Sequence, residues 1–426
     1  MKFEKHVLKN GLRVLLAPME NTETATVLFL VGAGSKYETK KINGASHFLE
    51  HLAFKGTKKR PNPKDITAEI DAVGGQINAF TGEEYTGYYV KVNYQNLVLA
   101  LDVVSDISLN SLLPEKEIER ERGVILEEIN MYEDLPMHKV SDIWIKVMFG
   151  DQPAGRTILG EKDVIKNISR KEIFDYRNAY YKAENSLVVM SGNFSQLKNV
   201  LAELEKLFGK MGDGRAKNKM AVKNRQQKPE FLLGFKETDQ THLLVGFRGV
   251  SLKQEAIKDR FVLSVIGGLL GGYMSSRLFQ EIREKRGWAY YIHSFVDFDT
   301  DCGSIGAQAG VVNDKTGEAI KVILNEFKKI KNGQFSKKEV ESAKSNLVGG
   351  LALSLEGSSA IASFLGKQEL LEEKILTPEQ MFDKIKAVSA NDIKRVAKKY
   401  FVNKGLNLAL IGPHQDKKAF EKVLKI

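Results

Sequence analysis

The second half of this 426-residue chain repeats the pattern of the first half, which limits the fold more than any other feature. Ser169-Arg-Lys-Glu-Ile173 begins a segment that predicts a helix followed by a strand ending at Gly192. Ser389-Ala-Asn-Asp-Ile393 begins the same pattern about half the chain later. Nearly the same offset relates Pro114-Glu-Lys-Glu-Ile118 to Ser336-Lys-Lys-Glu-Val340. The chain therefore consists of two homologous domains.

The order of elements within each half indicates the fold class. Each half reads as strands, two helices, strands and then several helices, without regular alternation. This order favours an α+β domain in which helices pack on an antiparallel sheet. Residues 209–228 are polar, basic and poor in large apolar side chains, as is typical of a linker. We predict an N-terminal domain at 1–209, a linker at 210–228 and a C-terminal domain at 229–426.

The composition is that of an ordinary globular protein, with 42% hydrophobic and 28% charged residues. A single cysteine, Cys302, excludes an internal disulfide and favours a reducing compartment. We find neither an apolar leader nor a run of about 18 apolar residues, and we expect a cytoplasmic protein without membrane partners. The net charge of +10 is spread among acidic residues, which favours a solvated surface over nucleic-acid binding.

A five-residue segment, His47-Phe48-Leu49-Glu50-His51, predicts a metal site. Histidines four residues apart lie on one face of a helix and can bind the same cation, with a glutamate beside the open position. This H-x-x-E-H order is the inverzincin motif. In that motif the histidines are zinc ligands and the glutamate takes a proton from water at the ion. The alternative is a helix that carries two histidines by coincidence.

A third ligand is expected on the helix predicted from Glu115 to Glu133. Glu121 and Glu128 are seven residues apart and share a face of that helix. Mostly apolar residues surround Glu128, namely Val124, Ile125, Met131 and Tyr132. A carboxylate among them is costly unless it is paired or bound to a cation. Glu127 points about 100° away and is the weaker candidate. The structural alternative for these glutamates is ordinary solvated helix charge.

The second domain serves as an internal control for this metal site. When the helix that carries the two glutamates is aligned with its counterpart in the second half, Ala343 stands opposite Glu121 and Gly350 stands opposite Glu128. No His-x-x-Glu-His segment occurs in the second half, where residues 265–276 are glycine-rich and apolar. The metal chemistry is therefore expected in the N-terminal domain alone.

Four stretches of the chain match one family. They are Gly44–Thr57, Asn78–Thr81, Glu119–Glu128 and Met274–Arg283 continuing to Tyr290. With them, the chain resembles the pitrilysin/insulinase family of zinc peptidases, especially the mitochondrial processing peptidase β-subunit and its bacterial half-size relatives. The resemblance implies that both domains have the α+β fold of the mitochondrial processing peptidase. It also implies one Zn²⁺ per chain, bound by His47, His51 and Glu128. The separation of Glu128 from His51 along the chain fits the family's spacing.

The resemblance also implies roles for residues outside the motif. Glu121 matches a second acidic position that supports the site. Asn78-Ala79-Phe80 matches an edge strand that pairs with the substrate backbone, where an ordinary strand is the alternative. Arg283 and Tyr290 match a pair that contacts substrate and stabilises the oxyanion. Without the resemblance, they would be a solvated helix residue and a packing residue in a strand.

The expected activity is that of a zinc metalloendopeptidase that cleaves unstructured peptides or precursor segments. Larger family members carry four such domains in one chain, whereas this chain carries two, with both the motif and the Arg/Tyr pair. A homodimer that forms the chamber is therefore expected. The rivals are a non-catalytic structural subunit, an obligate heterodimer and a hydrolase of non-peptide substrates. Glu83-Glu84, beside the binding strand, suggests tolerance for basic peptides.

Overall fold

A computed structural model describes residues 1–252, 257–372 and 374–426. The strands of this described part are β1 (Glu4–Val7), β2 (Arg13–Pro18), β3 (Thr24–Val31), β4 (Gln76–Thr81), β5 (Thr86–Asn93), β6 (Ser186–Gly192), β7 (Glu230–Phe235), β8 (Gln240–Arg248), β9 (Ala289–Phe298), β10 (Gly303–Val312) and β11 (Leu406–Gly412). They form two sheets.

Helices account for most of the remaining chain. Those in the described ranges are α1 (Ala45–Leu52), α2 (Pro63–Asp71), α3 (Leu97–Leu109), α4 (Glu115–Asp134), α5 (Pro136–Phe149), α6 (Lys162–Asn167), α7 (Arg170–Tyr180), α8 (Val200–Phe208), α9 (Ile257–Gly271), α10 (Thr316–Lys331), α11 (Lys337–Ser354), α12 (Ser358–Leu371), α13 (Pro378–Lys386), α14 (Ala390–Tyr400) and α15 (Lys417–Val423). A π-helical segment, Phe279–Glu284, lies between α9 and β9.

The two sheets have the same strand order, which confirms the two homologous domains predicted from the repeat. The first sheet runs β1-β2-β6-β3-β5-β4 and the second runs β7-β11-β8-β10-β9. Without β1, each strand of the first sheet corresponds to the strand at the same place in the second. Helix α14 repeats α7, and strand β11 repeats β6, at the same offset that separates the matching segments in the sequence.

Each sheet is mixed, whereas the prediction was an antiparallel sheet. β2 runs parallel to β6 and β7 runs parallel to β11, while the other neighbours are antiparallel. The reason is geometric. β6 lies between β2 and β3, which run in opposite directions, so β6 must be parallel to one of them. β11 is inserted between β7 and β8 in the same way.

The chain divides into two compact units. They differ from the predicted continuous domains, 1–209 and 229–426, because each unit includes one segment from the other half of the chain. Unit 1 consists of Met1–Ile129, Arg156–Met220 and Ser354–Ile375, and unit 2 consists of Asn130–Gly155, Ala221–Leu353 and Leu376–Ile426. The first sheet therefore receives α12 from the second half of the sequence. The second sheet receives α5 from the first half.

Burial of apolar side chains explains why these two helices leave their own halves. In unit 1, Ile361, Ala362 and Leu365 of α12 pack against the first sheet. In unit 2, Val140, Trp144 and Met148 of α5 pack against Leu244, Ala409 and Ile411 of the second sheet. Each sheet face would otherwise expose a row of apolar residues, and covering it is favourable at about 25 cal/mol per Å².

In unit 1 the first sheet separates two apolar layers. One face packs against α1, α3 and α8, and its core includes Phe29, Phe48 and Tyr88. The other face packs against α12 at close range, because a Cβ added to Gly366 would lie 2.5 Å from Leu30 Cδ1. Among the described strands, β4 is the last one of the sheet and pairs with β5 alone, so its other edge is free of strand pairing. The edge strand predicted at Gln76 to Thr81 is therefore present.

Among the described helices, none alone is long and apolar enough to span a bilayer, although α11 and α12 together, as a bent pair, satisfy length and composition. The apolar residues of α12 have another explanation, because they are buried in unit 1.

Candidate metal centre

Helix α1 carries the motif, and two features of the preceding loop position its first turn. Gly44 has a φ of 98°, and a Cβ there would lie 2.7 Å from the Leu159 carbonyl oxygen, so a side chain does not fit. The buried Glu38 carboxylate accepts hydrogen bonds from the backbone N–H groups of Gly44 (2.6 Å) and Ser46 (2.7 Å). A carboxylate at a helix N-terminus is favourable, so Glu38 holds α1 in place.

The three residues predicted as metal ligands, His47, His51 and Glu128, come together in unit 1. Nε2 of His47 and Nε2 of His51 each lie 3.5 Å from Oε2 of Glu128. One ligand atom from each residue lies within 4.8 Å of the other two. Donors about 2.0–2.1 Å from a tetrahedral ion are about 3.3 Å apart, so this donor set fits one zinc ion.

The far side of His51 is held by a second carboxylate. His51 Nδ1 donates to Glu121 Oε2 at 3.0 Å, and Lys55 Nζ donates to Glu121 Oε1 at 2.8 Å. Burial acts to raise the pKa of Glu121, but these two hydrogen bonds outweigh it and lower that pKa. A proton on Nδ1 leaves the Nε2 lone pair available to a metal, which is a common arrangement for metal-binding histidines.

The two histidines differ in their electrostatic surroundings. Burial, together with the nearby His51, lowers the pKa of His47 to about 4. Burial also disfavours the charged form of His51, but hydrogen bonds to Glu121 and Glu128 raise its pKa to about 9. Within the described residues, His47 Nδ1 is buried without a hydrogen-bond partner. The cluster thus holds one neutral imidazole and one site where a cation can replace a proton.

Glu50 lies beside the cluster and is held from the sheet. Its Oε2 accepts a hydrogen bond of 2.6 Å from Thr81 Oγ1, at the end of the edge strand β4. Burial raises the pKa of Glu50, and the hydrogen bond from Thr81 opposes part of that shift. A carboxylate with a raised pKa is better suited to accept a proton during a reaction near neutral pH.

The surroundings of Glu128 differ in part from the prediction. Ile125 is buried, but Val124 and Met131 are 47% and 51% exposed, so the carboxylate lies at the rim of the helix's apolar face. The helix twist places Val124 and Met131 toward solvent while Ile125 faces the core. The hydrogen bond with His51 lowers the pKa of Glu128. Glu127, the weaker candidate, is exposed and lies outside the cluster.

The backbone of β4 presents alternate groups at its free edge. Gly82 N–H donates to the Tyr85 carbonyl at 2.8 Å, and the register alternates from there along β4. Ile77, Ala79 and Thr81 therefore direct their N–H and C=O groups away from β5. The Asn78 side chain accepts a hydrogen bond of 2.8 Å from the Ala79 N–H. The edge amide of Ala79 is thus bonded locally rather than to a neighbouring strand.

The remaining predicted residues, Arg283 and Tyr290, lie in unit 2. Arg283 is on the π-helical segment Phe279–Glu284, and Tyr290 is on β9 with 74% of its surface exposed. Arg283 Cζ lies 5.3 Å from the centroid of the Tyr290 ring, so the two side chains are neighbours. An exposed tyrosine at this place does not serve as a packing residue.

Three residues of the centre were not assigned by sequence reasoning: Glu38, Lys55 and Thr81. Lys55 follows His51 by four residues, a spacing that places both on one side of a helix end. Thr81 stands in the matched stretch Asn78–Thr81 and could have been noticed there. Glu38 carries no such signal, because its role depends on a loop that folds back onto α1.

Known proteins are similar to this chain along most of its length. The model of insulinase (peptidase family M16) matches residues 13–162, and that of the peptidase M16 inactive domain matches residues 167–347. The zinc protease YmxG of Bacillus subtilis is 35% identical over 414 residues, covering 96% of this chain and 98% of YmxG. The zinc protease SCO5738 of Streptomyces coelicolor is 35% identical over 419 residues, covering 97% of this chain and 90% of the relative. The chain belongs to peptidase family M16, the insulinase family.

Solved structures show the same fold. A protease from Helicobacter pylori has a TM-score of 0.90 and 26% identity, covering 97% of this chain and 99% of that one. A peptidase M16 inactive domain from Pseudomonas fluorescens has a TM-score of 0.88 at 16% identity, covering 97% of this chain and 99% of that one. At such low identity, the second likeness concerns the fold alone.

Proposed function

We propose that the protein is a zinc-dependent endopeptidase whose catalytic centre is in unit 1. The observation that carries this proposal is the convergence of His47, His51 and Glu128 with the Glu50 carboxylate beside them. The relatives named as zinc proteases support it, since they match nearly the whole chain. His47, His51 and Glu128 hold the ion, one per chain.

The reaction assigns one task to each group near the cluster. When bound, zinc supplies Lewis-acid polarisation and lowers the pKa of water. Glu50, oriented by Thr81, takes a proton from the water that attacks the scissile carbonyl and passes it to the leaving amine. Glu121 and Lys55 keep the His51 ring turned so that Nε2 faces the cluster. Tyr290 and Arg283 supply donors to the oxyanion and to the substrate, from the same or the partner chain.

The substrate binds as an extended strand along β4. Its free edge offers the N–H and C=O groups of Ala79 and its alternate neighbours, which is what β-strand addition requires. The Asn78 oxygen that accepts from the Ala79 N–H occupies the place of a substrate carbonyl. Binding therefore exchanges one hydrogen bond for another. Since Thr81 of this strand contacts Glu50, the peptide passes next to the catalytic base.

Cleavage of a mixed library of unstructured peptides tests the proposal. The zinc-loaded protein is expected to release products that mass spectrometry identifies. Chelation is expected to abolish turnover and added zinc to restore it, because an ion held by His47, His51 and Glu128 would supply the Lewis-acid chemistry. Absence of turnover by protein shown to contain zinc would overturn the proposal and favour a non-catalytic subunit. Turnover unaffected by chelation would indicate a different enzyme.

We further propose that the active form is a homodimer. The metal cluster and the Arg283/Tyr290 pair occur in one chain, so no second specialised subunit is needed. Sedimentation equilibrium at micromolar concentration is expected to give the mass of two chains, with activity that falls on dilution. Full activity in a sample that sediments as single chains would contradict the dimer.

A further inference from the structure

Unit 1 has a pocket of about 390 Å³ on the face of the first sheet that packs against α12. Its aromatic wall consists of Phe80 from β4, Tyr89 from β5 and Tyr85 from the turn between these strands. The rings of Phe80 and Tyr85 meet edge to face, with centroids 5.9 Å apart. The pocket therefore begins at the edge strand that carries the proposed peptide-binding backbone.

Helix α12 supplies the polar side of the pocket. Ser359, Ser363 and Lys367 line it, and their spacing of four residues places them on one stripe of the helix. Lys367 Nζ lies 5.5 Å from the centroid of the Tyr85 ring. Lys367 is the one charged residue among the described residues that line the pocket, and no acidic residue lies with it. The pocket thus combines a cation with hydroxyl groups from two serines and two tyrosines.

The turn beside the pocket carries an acidic residue, Glu84, whose carboxylate is paired with other lysines and not with Lys367. Glu84 is 2% exposed and forms ion pairs with Lys36 at 3.1 Å and Lys219 at 3.2 Å. Its charge is therefore balanced by two lysines within unit 1. The ion pairs therefore account for the charge of Glu84, and Lys367 is the charged residue that lines the pocket.

The direction of side chains connects the pocket to a bound peptide. Successive residues of a strand point to opposite faces, so Ala79 and Thr81 face the α1 side while Phe80 faces the pocket. A peptide residue placed opposite Phe80 on an added strand directs its side chain to the same face as Phe80. The neighbouring peptide residues then face the metal cluster.

We propose that this pocket binds a carboxylate of the peptide substrate and so contributes to the choice of cleavage site. The proposal rests on the proposed peptidase function. Lys367 pairs with the carboxylate, and the hydroxyls of Tyr85, Tyr89, Ser359 and Ser363 are available as donors. Two sources supply this group: an Asp or Glu side chain within the peptide, or the free carboxyl terminus.

The test compares kcat/KM for matched quenched-fluorescence peptides. One set carries Glu or Gln at each position near the cut, and the other ends in a free acid or an amide. Wild type is expected to favour one carboxylate by about tenfold, which corresponds to about 1.4 kcal/mol. That ratio is expected to fall to about one in Lys367→Met. A further peptide with Lys in place of the Glu is expected to be cleaved faster than the Glu peptide by Lys367→Glu and more slowly by wild type. The peptide set in which wild type shows the preference, Glu against Gln or free acid against amide, identifies the source of the carboxylate.

Lys206→Met is the matched control, because Lys206 is an exposed lysine on α8, which packs on the other face of the sheet. It is expected to retain the wild-type ratio. Cleavage without any carboxylate preference would overturn the pocket assignment while leaving the peptidase standing. A preference that persists in Lys367→Met would overturn it equally.

A binding measurement separates this inference from the proposed function. Fluorescence anisotropy with Glu50→Gln protein reports the affinity for the same peptides without turnover. Tighter binding of the carboxylate peptide that is lost with an added Lys367→Met change supports the pocket even if no cleavage occurs. Equal affinity for the paired peptides overturns it.

Discussion

Replacing Glu50 with Gln is expected to reduce kcat/KM for peptide cleavage about 10²- to 10⁴-fold, the usual contribution of a general base. Glutamine retains the side-chain oxygen that accepts from Thr81 but cannot take a proton from water. Because the three predicted ligands are His47, His51 and Glu128, the variant is expected to keep its zinc. Peptide turnover and zinc content by atomic absorption, measured on the same preparation, check both parts.

The matched control is Glu115→Gln, the same change at an exposed glutamate in the first turn of α4. It is expected to retain activity and zinc. Equal turnover by wild type and Glu50→Gln would point to a contaminant or another site and contradict the assigned role. Loss of zinc together with activity would instead make Glu50 part of the metal-binding set.

Replacing Glu128 with Ala is expected to weaken zinc binding by more than about 100-fold. Loss of a residue that only supports a metal ligand typically weakens binding by about 10- to 100-fold, and Glu128 is predicted to be a ligand itself. The change removes a carboxylate that contacts both imidazoles, at 3.5 Å from each Nε2. Competition with a chromophoric chelator measures the zinc affinity. Peptide cleavage at limiting zinc is expected to fall in parallel.

Glu127→Ala is the control, because it removes a carboxylate one residue earlier on the same helix. Glu127 is exposed and outside the cluster, so this variant is expected to bind zinc within about twofold of wild type. If Glu127→Ala lost zinc and Glu128→Ala retained it, the cluster would not be the metal site. Circular dichroism of both variants checks that their helices are retained.

The spacing of residues along a helix predicts part of the candidate metal centre. The helical repeat places His47 and His51 on one face, and it separates Glu128 from Glu127 by about 100°. Spacing pairs the two histidines, whereas the choice of Glu128 also used its apolar neighbours and the family's ligand spacing, and the structure brings His47, His51 and Glu128 together. The surroundings of Glu128 were harder to predict, because the exposure of Val124 and Met131 depends on what packs against α4.

The internal repeat predicted the division of the chain into two similar domains. Matching the segments at Ser169 and Ser389 predicted two homologous domains, and the two sheets have the same strand order. The parallel pairing of β2 with β6 was not predicted, because it depends on where a distant strand is inserted. The exchange of α5 and α12 was also missed, since an apolar helix face does not specify which sheet it covers.

The sequence by itself predicted the repeat, the helix that carries the His-x-x-Glu-His segment and the strand from Gln76 to Thr81. Helix and strand follow from the spacing of neighbouring residues, and the repeat follows from comparing one segment with another, so none of them requires knowledge of which elements pack together. Only the tertiary structure decided that Thr81 holds Glu50, that Lys55 and Glu121 hold His51, and that α12 forms a pocket beside Phe80. The physical reason is that backbone geometry relates neighbouring residues in a regular way. Contacts between distant residues depend instead on how whole elements bury their apolar faces.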